Sequence, residues 1–185
     1  MKKIVDLLTI ISFVLYILIF IWIVYLKSNQ ESWILATYNL FKDMPLIERF
    51  KYDLIPFSNT SMMRTRSNYY NVLIFIPIPI YLKIIFNKIK YNHLLLIGLI
   101  LTIFIEFSQL FIPFCGFATE DIICNFIGSV IGVIIYHLFL KKNSELENKI
   151  ILIAMLYIIL PIFIYALINT IYHIDAYKIW KNMKN

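Results

Sequence analysis

Five apolar blocks, each long enough to cross a bilayer, leave this chain few ways to fold in water. A hydrocarbon core of about 30 Å takes roughly 20 helical residues at about 1.5 Å each. The blocks run from Ile4 to Leu26, Tyr70 to Phe86, His93 to Ile112, Asp121 to Leu140 and Ile150 to Tyr172. The second is the weakest, because Pro77 and Pro79 interrupt it and Lys83 sits inside it. Only 15% of the 185 residues are charged against 61% hydrophobic, a balance that excludes a disordered chain and an ordinary cytosolic enzyme. The expected fold is an all-α integral membrane protein of about five transmembrane helices, over 1–26, 70–87, 93–112, 120–140 and 149–172, with a basic tail at 173–185.

The first block follows Lys2 and Lys3 but is too long for a signal-peptide core, and no small-x-small cleavage site follows Leu26, so it reads as a retained anchor. Basic residues in short loops set orientation. An N-terminus inside places Lys2, Lys3, Lys83, Lys88, Lys90, Lys141, Lys142 and Lys149 in the cytoplasm. The remaining nine lie in the long Lys27–Arg66 segment and in the tail at Lys178, Lys181 and Lys184, so the basic tail argues the other way. A cytoplasmic N-terminus and an extracellular C-terminus in the plasma membrane are favoured. With a net charge of +6 distributed between apolar blocks, membrane lipids are the expected partners and nucleic acid is not.

The segment 27–69 is the one long stretch between spans. Trp33, Thr37, Leu40, Phe41 and Met44 recur at roughly helical spacing, which predicts an interfacial helix. Residues Asp53-Leu54-Ile55-Pro56-Phe57-Ser58-Asn59 then read as an ordered turn. Cys115 and Cys124 form no motif, and His93, His137 and His173 sit at helix ends without metal-ligand spacing. Neither a metal nor a cofactor is expected.

Polar residues within the spans carry the information about function, since each costs free energy unless partnered. Glu106 and Gln109 share one face of the third helix at i, i+3. Glu106 lies six residues before Ile112, about 9 Å from the helix end by rise per residue. Asp121, Asn125, Gly128 and Gly132 form a single stripe on the fourth helix, Gly128 and Gly132 suiting close helix packing. Helix two enters from the long segment, helix three leaves toward it and helix four returns from it. Asp53, Arg64, Arg66, Asn71, Glu106, Gln109, Asp121 and Asn125 therefore gather at one membrane face, as a polar pocket opening outward. Packing alone also accounts for the glycines, an N-cap for Asp121, and headgroup anchoring for the two arginines.

Four ordered pieces carry a resemblance: Asp53–Phe57, Asn71–Pro77, Glu106–Gln109, and Asp121–Gly128 with Gly132. Together they resemble the VanZ-like membrane proteins over roughly residues 50–140. The resemblance implies a multi-pass bacterial membrane protein of the Gram-positive cell envelope. The family's namesake is linked to low-level resistance to the lipoglycopeptide teicoplanin, without comparable protection against vancomycin. Members commonly carry Asn where this chain has Asp53, and often Gly-Arg before the Asp of the fourth helix. Residues Pro113–Glu120 contain no base, so any pairing role of that arginine passes to Arg64 or Arg66 or is absent.

Reduced sensitivity to teicoplanin is thus the leading expectation, with a lipoglycopeptide or a lipid-linked cell-wall precursor as the partner class. Two rivals stay open: an intramembrane enzyme acting on a lipid-linked envelope substrate through Glu106 and Asp121, and a small proton- or cation-coupled transporter subunit, which would have to oligomerise. No catalytic residue is assigned, because the chain shows no nucleophile–base couple, and a non-enzymatic role is favoured.

Overall fold

A computed structural model describes residues 2–26, 39–40, 43–52, 54–57, 62–112 and 117–156, together with residues 160, 161, 164 and 168. The described residues contain helices and turns and no strand. Helix α1 is Lys2–Leu26, α2 is Leu46–Tyr52, α3 is Met62–Phe75 and α4 is Pro77–Ile85. Helix α5 is Tyr91–Gln109 and α6 is Thr119–Ile135, continued by a π-helical turn over Tyr136–Leu140. Helix α7 covers residues 145–156.

Four helical stretches among the described residues are long and apolar enough to span a bilayer: Lys3–Tyr25, Asn68–Ile85, Tyr91–Gln109 and Thr119–Leu140. The fifth block lies largely outside the described residues. So does most of the helix expected from Trp33 to Met44, although residues 39–40 are helical and Met44 sits in a bend. The helix described in that segment, α2, falls just after it.

Pro77 divides the second span. Helix α3 ends at Phe75, Ile76 stands between, and Pro77 opens α4 at its first position, where a missing N–H is tolerated. Prolines 77 and 79 have no N–H to give to the carbonyls of Leu73 and Phe75 four residues back, so the helical ladder thins where the span divides. Beside this break the Tyr16 hydroxyl of α1 donates to the Ile74 carbonyl. The same ring stacks on Tyr81 of α4, with centroids 5.4 Å apart, and Phe20 meets Phe75 edge-on at 5.3 Å. Tyr16→Phe should therefore lower the stability of the detergent-purified protein by about 1–2 kcal/mol while preserving its packing. An unchanged thermal midpoint would show that the Ile74 carbonyl is satisfied without it.

Helix α6 is the centre of the bundle and packs on α3, α4 and α5. It approaches α3 so closely that a β-carbon on Gly128 would fall within 3.0 Å of the Val72 carbonyl oxygen, and one on Gly132 within 3.0 Å of that of Ile76. On the α5 side Gly98 faces Ser129 equally tightly. These contacts set the register of the three helices.

Two lysines at the membrane face where α1 begins are paired or folded back. Lys149 bonds both Asp6 of α1, at 2.6 Å, and Glu145. Lys83 reaches past the end of α4 to the carbonyls of Asn87 and Ile89, at 2.5 and 2.7 Å, so its charge leaves the apolar layer. Ser144 and Glu147 form a capping box that starts α7: the Glu147 carboxylate accepts the Ser144 N–H at 2.7 Å, and the Ser144 hydroxyl accepts the Glu147 N–H at 3.2 Å. The first of these bonds holds the Glu147 carboxyl below its ordinary pKa.

Candidate functional site

The opposite face, where α1 and α5 end and α6 begins, gathers the buried polar chemistry. Glu106 is 1% exposed, one turn from the end of α5, and its Oε2 accepts the Ala118 N–H at 3.0 Å. Ala118 immediately precedes α6, so this carboxylate caps the incoming helix from a neighbouring one. Glu120, also 1% exposed, stands in the first turn of α6 beside Asp121. Three carboxylates thus surround one helix N-terminus, whose unpaired N–H groups and positive dipole end favour them.

A second buried contact ties this cluster to the long segment. The turn Leu54–Phe57 places Phe57 in the left-handed region at φ 59°, and its N–H donates to Glu120 Oε2 at 2.9 Å. Just before it, α2 buries Arg49 to 8% exposure. The guanidinium donates to the Leu110 carbonyl at the end of α5, at 3.2 Å, and to the Met44 carbonyl, at 3.1 Å. A cation on the C-terminal carbonyls of α5 complements that helix dipole. Phe50 packs between the rings of Phe117, at 4.8 Å, and Phe107, at 6.1 Å. Residues 43–52 and 54–57 therefore sit over the α5–α6 junction as a cap.

Farther along the stripe Asn125, 4% exposed, donates through Nδ2 to Thr102 Oγ1 at 2.9 Å and so links α6 to α5. The buried Oδ1 atoms of Asn125 and Asn68 have no hydrogen-bond partner among the described residues. Gln109 is placed at the edge, its Nε2 3.4 Å from the Val24 carbonyl, and neighbouring Ser108 accepts from the Tyr25 hydroxyl at 2.5 Å. These two contacts hold the end of α1 against the end of α5.

Of the residues singled out from sequence, Glu106, Gln109, Asp121 and Asn125 occupy this end of α5 and α6, and Asn71 lies on α3. Arg64 and Arg66 fall in the first turns of α3, with side chains outside the described residues, and Asp53 is outside them altogether. Glu106 and Asn125 are buried, at 1% and 4% exposure. A shallow apolar groove of about 280 Å³, lined by Tyr91, Val133, Ile134, His137 and Leu138, lies at the other end of the bundle. Two buried ionisable residues of the site were not anticipated. In the sequence Arg49 is one of the basic residues of the Lys27–Arg66 segment and Glu120 the first residue of the fourth span, with no further role evident for either. The only signals for Glu120 were its place beside Asp121 and its position in the first turn of a helix.

Among the described residues no group of three or more His, Cys, Asp or Glu side chains is arranged to hold a metal ion. Cys124 is a free, buried thiol. The arrangement gathers buried carboxylates at one helix N-terminus, with the main-chain N–H groups of Ala118 and Phe57 fixing an oxygen of Glu106 and of Glu120.

Comparison with known proteins places this geometry in context. The VanZ/LLP1 family description matches residues 13–140, which include every helix that contributes to the site. Protein VanZ of Enterococcus faecium is 27% identical over 148 residues, covering 79% of this chain and 85% of its own length. No solved structure matches the chain.

Proposed function

The chain belongs to the VanZ/LLP1 family, and from that premise we propose that it is a cell-envelope membrane protein of the VanZ type that lowers sensitivity to teicoplanin. One observation carries the reading to a particular place: Glu106 and Glu120 are both buried at the α5–α6 junction, under a cap drawn from the long segment. Burying two carboxylates is costly, and stability alone is served more cheaply by apolar residues. Teicoplanin differs from vancomycin in its acyl chain, which anchors it in the bilayer near its lipid-linked target. A polar site at the extracellular face, reached from the lipid, suits the anchored end of such a drug or the lipid-linked precursor it recognises. Glu106 and Asp121 supply the charge, with Asn125 and Gln109 as neutral partners.

The test is drug susceptibility in a Gram-positive host that lacks any relative of the chain. Wild type should raise tolerance to teicoplanin and leave vancomycin unchanged, while Glu106→Gln and Asp121→Asn should lose most of the increment at equal membrane abundance. Flat susceptibility with confirmed membrane expression would remove the proposal. Equal protection against both drugs would remove the role given to the acyl chain.

A further inference from the structure

The cap has two unlike sides. Its inner side is fixed by the Arg49 bonds to the Leu110 and Met44 carbonyls, by the Phe57 N–H on Glu120 and by Phe50 between Phe107 and Phe117. Its outer side carries Leu46, Ile47, Leu54, Ile55 and Phe57, all exposed, with Ile55 at 73% and Ile47 at 60%. Five large apolar side chains on one short segment outside the spans are too many for a surface in water, where a contiguous apolar patch of that kind marks an interaction site. The turn that presents Ile55 and Phe57 is held in a left-handed conformation unusual for a bulky side chain, so the tip is kept in place from behind by the bond to a buried carboxylate.

We propose that residues 43–57 insert this edge into the acyl region of the leaflet at the site face, as a wedge lying in the membrane rather than a loop above it. Two features favour lipid over a protein partner. The cap joins α5 through Phe50 on Phe107, and Phe107 belongs with Phe104 and Phe111 to an exposed apolar side of α5, a surface that a spanning helix turns to lipid. The polar residues of α2 complete an interfacial pattern: Glu48 and Lys51 are exposed beside the apolar edge, and Lys51 suits anionic headgroups. The wedge seats Glu106 and Glu120 at about headgroup depth and roofs them with chain anchored in lipid. This inference rests on the membrane-spanning fold and stands apart from any effect on antibiotics.

The full chain, purified and reconstituted in phosphatidylcholine–phosphatidylglycerol vesicles, provides the test. In a Cys115→Ser, Cys124→Ala background, Ile55→Cys and Ile47→Cys carry an environment-sensitive NBD label, with Lys142→Cys as a control in an exposed loop at the other end. Both cap labels should emit to the blue of the control, be quenched by spin-labelled acyl chains and be severalfold less quenched by aqueous iodide. Because Ile55 and Ile47 are largely exposed, their replacement leaves the buried contacts of the cap intact, and matching gel-filtration profiles will show that the variants remain folded. Iodide quenching of both cap labels equal to that of the control would overturn the wedge, including the case in which a protein partner covers the edge in cells. Acyl-chain quenching at both positions would establish it, whatever the outcome with teicoplanin.

Discussion

Leucine at Gly128 or Gly132 will abolish the folded protein, and alanine at either will already weaken it. A β-carbon at these positions runs into the main-chain carbonyls of Val72 and Ile76 as well as Phe75 and Pro79. Carbonyl oxygens in a helix cannot rotate away, so relief requires α6 to part from α3. Alanine gains about 1 kcal/mol over glycine in helix propensity. Overpacking a tight site costs about 1–3 kcal/mol or more, so steric conflict wins at both positions. Leucine adds three more carbons to the same seam and should exceed 3 kcal/mol, enough to overcome a marginally stable fold. Gly98 offers an internal comparison, because there the obstacle is the Ser129 side chain, which can be removed. Gly98→Ala should destabilise by itself and recover in combination with Ser129→Gly. No second substitution of that kind rescues Gly128→Ala. Thermal midpoints and monodispersity in detergent report the series, and a monodisperse, stable Gly128→Leu variant would refute the close α3–α6 contact.

The same seam shows what the sequence made visible. The apolar blocks located the spans because length and hydropathy are set by the bilayer, independent of packing partners. Glu106 and the stripe from Asp121 to Gly132 stood out because polar and small residues are conspicuous in such blocks, and chain direction alone brought both to one face. Arg49 and Glu120 were obscured for different reasons. Helix α2 has only seven residues, Leu-Ile-Glu-Arg-Phe-Lys-Tyr, too few for a period to declare which side is buried. Glu120 acquires its partner from Phe57, 63 residues away, and no local pattern announces a bond of that range. Tyr16 was unremarkable among the apolar residues of α1 until the broken span placed the Ile74 carbonyl beside its hydroxyl. In each case the missing information was tertiary: which backbone group would be left needing a partner, and which side chain would be near it.

Glu120 allows that missing contact to be tested directly, through a pair of substitutions that differ in a single capacity. Glutamine retains a carbonyl oxygen that can accept the Phe57 N–H, whereas alanine offers none. With the acceptor gone, Phe57 keeps the steric cost of its left-handed backbone, about 1–2 kcal/mol, with nothing to offset it. A bond to a carboxylate contributes about 1.5–3 kcal/mol, so Glu120→Ala should speed hydrogen exchange around Phe57 by about ten- to a hundredfold. Glu120→Gln should stay near wild type. Arg49 and Phe50 remain docked in both, which confines the change to the tip and leaves the spans folded. If the cap must be held in place for the site to work, Glu120→Ala will also lose the teicoplanin increment that Glu120→Gln retains. Loss with both would instead assign the carboxylate charge itself to function, and slow exchange with alanine would mean that the tip is fixed by something other than Glu120.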